Sequence, residues 1–152
     1  MQVMNSSKNF HIALIYLGAI PFVVGSILMM IGYEKILYLG KIEWIIGSYG
    51  LVICSFVSGS HWGQFIQGVG SININLPLSS NSIVLVAWFF FLILSPEYFF
   101  YILIALFFIL LGIDYQLFKL ARISLNYFKS RAIVTTAVNF ALLASAIATD
   151  LQ

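Results

Sequence analysis

Repeated apolar runs of membrane-crossing length constrain this chain more than any other feature. About 20 apolar residues span the ~30 Å hydrocarbon core of a bilayer, and Phe10 to Gly32 is such a run, with others after it along the chain. Inside hydrocarbon every backbone N–H and C=O has to be paired within the protein, so runs of this length fold as helices. The composition agrees with that reading. Charged residues make up 8% and hydrophobic ones 62%, with a mean hydropathy of +1.05, against about 25% charged in soluble domains. The formal net charge of +2 is small and dispersed, with no basic patch suited to nucleic acid. The single cysteine, Cys54, has no partner for an intramolecular disulfide.

The expected architecture is all-α: one integral membrane domain over residues 1–152, with spans at about 10–32, 42–65, 79–95, 98–118 and 131–149. The first run follows a short polar segment as a signal peptide does. It is too long for an ordinary apolar signal core and no small-residue cleavage site follows, so it reads as a retained helix. Pro21 interrupts it, which a membrane helix tolerates when a neighbour or water takes up the freed carbonyl. Gly18, Gly25 and Gly32 recur every seven residues, as do Gly40, Gly47, Cys54 and His61. The two stripes predict close antiparallel packing of Gly18 and Gly25 against Gly47 and Cys54.

A short charged loop, Tyr33 to Glu43, joins the first two spans, and a Gly/Asn/Ser-rich stretch ending near Pro77 leads into the third. The third run is short unless it begins near Leu76; a full crossing is preferred over a re-entrant segment. Leu117, Leu120, Ala121, Ser124, Leu125 and Phe128 follow helical i, i+3, i+4 spacing, which predicts a short amphipathic interfacial helix between spans four and five or an extension of span four. With five spans, Lys8, Lys119, Arg122, Lys129 and Arg131 share one side and Lys35 and Lys41 the other. That bias predicts an N-terminus on the inner (cytoplasmic or matrix) side.

The same topology brings polar residues to one depth. At ~1.5 Å per residue, His61 lies roughly 27 Å along a span starting near Glu43, Asp114 about 24 Å along the fourth span, and Arg131 opens the fifth from the same side. A carboxylate at that depth needs pairing, hydration or a proton, and Arg131, His61, Arg122 or water could supply it. The cluster is either a structural pair that fixes helix register or a proton or ligand site. His61 and His11 with one Asp do not make a metal motif, so no metal and no cofactor is expected. Trp62 reads as an interfacial anchor and Asn139 as an interhelical hydrogen-bonding group. Phe99, Phe100, Tyr101, Phe107 and Phe108 read as lipid contacts or helix packing.

Ile20-Pro21-Phe22, Ser55-Phe56 with His61-Trp62-Gly63, Leu85-Val86-Ala87-Trp88, and Asp114 followed by Tyr127, Arg131 and Thr135 resemble the uncharacterised five-span membrane family that includes mitochondrial transmembrane protein 69 and bacterial relatives. The likeness covers nearly the whole chain, with departures at Gln116, Ser124 and Asn126. It implies a bacterial or mitochondrial inner-membrane protein and brings no established reaction. Two function classes follow. One is a non-catalytic subunit or assembly protein in contact with lipid, other membrane proteins or its own copies. The other is a small transporter or proton-linked binding protein using His61, Asp114 and Arg131 as an inner-facing polar cluster. No paired carboxylates, nucleophile–base arrangement or phosphate loop points to an enzyme.

Overall fold

The computed structural model describes residues 12–67 and 75–150. Five helices account for most of them: α1 (Ile12–Met30), α2 (Ile42–Ile66), α3 (Leu76–Ile93), α4 (Pro96–Lys119) and α5 (Leu125–Asp150). Each is long and apolar enough to cross a membrane. Lys8, His11 and most of the Gly/Asn/Ser-rich stretch lie outside the described residues.

Four helices pack in a ring, α1 on α5, α5 on α4, α4 on α2 and α2 on α1, and α3 lies across the α2–α4 edge. The core is aromatic and aliphatic: Phe22, Phe100, Leu103, Leu110 and Leu142 are buried. Phe22 meets Tyr49 at 5.0 Å and Phe107 edge-on at 6.1 Å, which joins α1 to α2 and α4. Of the fourth-span aromatics, Phe99, Phe100 and Phe107 face this core, while Tyr101 and Phe108 face outward.

Pro21 shapes α1. Its ring lacks an N–H and crowds the preceding turn, so the helix is irregular at Gly18 and Ala19 and regular from Ile20 to Met30. The Gly18 carbonyl accepts a hydrogen bond from the Tyr49 hydroxyl of α2 at 3.1 Å, so a neighbouring helix partners a carbonyl of the irregular turn, one residue past the Leu17 carbonyl that the proline leaves without its donor.

The glycines do other work than the sevenfold spacing predicts. A Cβ on Gly25 would sit 2.7 Å from both Cδ1 and Cγ1 of Ile46, so the notch in α1 holds an isoleucine from α2 rather than Gly47 or Cys54. Gly47 faces Phe99 of α4 and Phe91 of α3. Gly18 contributes its carbonyl, and Cys54 is a buried free thiol. Gly32, at φ +88°, ends α1: its N–H donates to the Met29 carbonyl and that of Tyr33 to Leu28, a Schellman closure in which glycine takes the left-handed position. A glycine leaves a hole, and here large side chains fill the holes better than a second backbone does.

The loop between α1 and α2 holds a minimal antiparallel hairpin, β1 (Lys35–Ile36) with β2 (Gly40–Lys41). α3 begins at Leu76, where Asn75 accepts from the Leu78 N–H at 3.2 Å and Pro77 occupies the first turn.

The interfacial helix is not formed. α4 ends at Lys119 in a second Schellman closure, with the Ala121 N–H donating to Phe118 and that of Arg122 to Leu117, and Ala121 at φ +55°. Two residues later, Ser124 caps α5 by accepting from the Tyr127 N–H at 3.2 Å. The apolar periodicity over 117–128 therefore belongs to the end of one membrane helix and the start of the next. Phe118 and Phe128 stack across the turn at 5.2 Å.

Candidate functional site

α2 and α4 run side by side in the same direction, and α5 returns antiparallel to α4. This sets the C-terminal turns of the first two beside the first turns of the third. His61 and Asp114 each lie about five residues before the end of their helix, and Arg131 about six after the start of α5. At ~1.5 Å per residue, all three are roughly 8 Å inside the same end of the bundle.

They meet there. His61 Nε2 lies 2.8 Å from Asp114 Oδ1, and Arg131 Nε donates to Asp114 Oδ2 at 3.0 Å. His61 and Asp114 are each 1% exposed and Arg131 8%. An ionised carboxylate offers only lone pairs, so Nε2 is the donor in this contact. Two charge-assisted bonds from two helices thus satisfy one buried anion, a condition under which such an anion is tolerated.

Donor and acceptor capacity is left over around this centre. His61 Nδ1 and Arg131 Nη2 are buried and have no hydrogen-bond partner among the described residues. Deeper in the bundle Thr135 and Asn139 continue the buried face of α5 at four-residue steps from Arg131, and both side-chain polar atoms of Asn139 are unpartnered.

A cavity of about 300 Å³ adjoins the cluster. His61 and Asp114 form its inner wall; Ser60, Gln64, Ser124 and Tyr127 supply further polar groups, and Leu117 and Ile123 the apolar ones. The Ser60 hydroxyl donates to the Val57 carbonyl of its own helix at 2.7 Å. A larger space, about 470 Å³, lies at the opposite end, among Glu34 and Lys41 of the first connection and Glu97 in the first turn of α4.

Of the residues singled out in the sequence, His61, Asp114, Arg131 and Tyr127 are gathered here, and Thr135 and Asn139 lie deeper on α5. Trp62 is not part of the cluster: it is 38% exposed, on the outer surface of α2. Arg122 is exposed and makes no ion pair with Asp114. Sequence reasoning missed Ser60, Gln64 and Ser124. The first two are four residues apart on α2 and flank His61, so helical spacing alone places them on one face. Among the described residues no three of His, Cys, Asp and Glu converge as a metal-binding group.

A family model described as a protein of unknown function (DUF3429) matches residues 8–147. No curated protein and no solved structure matches the chain.

Proposed function

The chain belongs to the DUF3429 family of proteins of unknown function, and from that premise we propose that it is a non-catalytic integral membrane protein, a subunit or assembly partner whose bundle is tied together by the His61–Asp114–Arg131 cluster. The observation that carries this reading is the double engagement of Asp114. Both carboxylate oxygens are taken by donors from two other helices, and the pair with Arg131 balances the charge locally. An anion engaged in this way fixes helix register at a depth where an unpaired one is costly.

The proposal extends to place and orientation. The five-to-two distribution of Lys and Arg favours an N-terminus on the inner side. The resemblance to the family that includes mitochondrial transmembrane protein 69 and bacterial relatives favours an inner membrane, bacterial or mitochondrial. Cysteines introduced at residues 5 and 126 should then react only from the inner side; labelling from the outside would reverse the orientation.

The test of the subunit reading is native mass spectrometry of the protein extracted together with its surrounding bilayer. A fixed stoichiometric assembly, with a second protein or with further copies, is expected. A single chain accompanied by lipid alone would overturn it. The second reading, a small transporter or proton-linked binding protein, is favoured by one observation: His61 lines a cavity, and its Nδ1 has no hydrogen-bond partner among the described residues.

A further inference from the structure

We propose that a single water is bound inside the bundle between α2 and α3, held by the hydroxyls of Ser58 and Ser80 and by Nδ1 of His61, so that the hydrogen-bonded cluster at Asp114 extends from α2, α4 and α5 to α3.

The two hydroxyls differ from the others in the helices. Ser48, Ser55, Ser60, Ser79, Ser145 and Thr149 each donate to a carbonyl three or four residues back in their own helix, which satisfies a helical hydroxyl without any outside partner. Ser58 and Ser80, 1% and 3% exposed, make no such bond and have no partner among the described residues. Ser80 is also the polar member of an otherwise apolar buried stripe on α3, with Leu76, Ile83 and Ala87. Within a membrane an unmatched hydroxyl is costly, so both require a partner beyond their own helix.

Helix register sets the two serines face to face. A Cβ on Gly47 would lie 3.7 Å from Cε2 of Phe91, so α2 and α3 meet at those positions. The helices run antiparallel, Ser58 follows Gly47 by eleven residues, and Ser80 precedes Phe91 by eleven. Eleven residues are three turns to within ~20°. Both helices therefore return to the faces that met at Gly47 and Phe91, about 16 Å nearer the cluster.

His61 supplies the third partner. It lies one turn beyond Ser58, and positions i and i+3 of a helix are neighbours. Its Nε2 reaches Asp114 of α4 at 2.8 Å. Nδ1, bonded directly to Cγ, stays close to α2 and is buried without a partner among the described residues. Neither serine bonds to Nδ1 or to the other serine, so a bridging group is needed.

Water matches the three atoms. A buried water makes about three hydrogen bonds; here it donates to Nδ1 of the neutral ring and uses its other donor and its lone pairs on the two hydroxyls. An ion is disfavoured, because Arg131 already balances Asp114 and the three partners are neutral. With Nδ1 engaged as an acceptor, the ring keeps its proton on Nε2, toward Asp114. Ser58 and Ser80 are thus positioning residues for His61. The inference rests on the cluster as a tie between helices, and adds α3 to that tie.

The test uses the full-length protein in lipid nanodiscs with nitrogen-15 histidine, read by NMR, a His61→Gln sample separating the His61 signals from those of His11. The parent should show magnetisation transfer from a long-lived water to the His61 ring and an Nδ1 signal at the position of a hydrogen-bonded acceptor. Ser80→Ala, though on another helix, should shift Nδ1 toward the position of a free acceptor and weaken the water transfer, while the Nε2–H signal that reports the Asp114 contact stays in place. In reversible SDS unfolding, Ser58→Ala and Ser80→Ala should each lower the folded-to-unfolded ratio about fivefold, the value of one hydrogen bond, and the double variant should lose well under the ~25-fold product. A free Nδ1 in the parent, an Nδ1 signal indifferent to Ser80→Ala, a fully multiplicative loss, or a Ser58–His61 bond without water transfer would each overturn the site. Additive losses for Asp114→Asn and Arg131→Gln with these water signals intact would remove the tie reading and leave the water site standing.

Discussion

Replacing Asp114 by Asn keeps the size of the side chain and removes its charge. The amide oxygen can still accept from Arg131 Nε at the 3.0 Å separation seen here, and its NH₂ can donate to His61 Nε2 at 2.8 Å once the imidazole proton sits on Nδ1. Both contacts survive, but the Arg131 guanidinium, 8% exposed, is left without its counter-ion. Removal of one partner from a buried pair costs about 3–5 kcal/mol, most of it the penalty of the stranded charge. Arg131→Gln alone should cost about 3 kcal/mol by the same reasoning, because Asp114 keeps only His61. The double variant carries neither charge and should lose far less than the sum, which gives a coupling energy of about 2–3 kcal/mol. Reversible unfolding by SDS in mixed micelles measures all four proteins. Additive losses, or an Asp114→Asn variant within ~0.5 kcal/mol of the parent, would refute the reasoning.

Three further outcomes follow from the packing and the turns. Gly25→Ala drives a methyl to within 2.7 Å of two Ile46 atoms and should cost about 1–3 kcal/mol, recovered in part by Ile46→Val; Gly50→Ala meets chiefly one terminal methyl of Leu103 and should cost less in the same unfolding assay. Tyr49→Phe removes the donor to the Gly18 carbonyl and should lower stability by about 1 kcal/mol; a neutral result would mean that the carbonyl does not depend on it. Ala121→Gly relieves a left-handed alanine at φ +55° and should raise stability by about 1 kcal/mol, and a loss in that variant would count against the Schellman closure.

Hydropathy made the helices legible, because backbone pairing in lipid leaves few alternatives to a helix. Helical rise then placed His61, Asp114 and Arg131 at one depth before their contacts were known. The turn at residues 120–124 was hidden for a specific reason. A left-handed C-terminal position is usually signalled by glycine, and here it is occupied by Ala121, so the apolar spacing continued unbroken across two helices. The glycine stripes were misleading in another way. Sevenfold spacing shows that residues share a face but not which neighbour fills it, nor that Gly32 stops the helix instead of packing it. The cavity was invisible because Ser60, Gln64 and Ser124 are ordinary residues until the ends of three helices meet around them.

The carboxylate that ties the bundle comes from a helix made before one of its two donors. Asp114 precedes Arg131 by 17 positions, so α4 is synthesised while the guanidinium is still inside the ribosome. In that interval His61 is the only one of its two eventual donors already available. Arrival of α5 therefore completes the cluster, and a chain halted after α4 presents a half-satisfied charge at the membrane. Insertion of the last helix is thus the step that completes the pairing of Asp114.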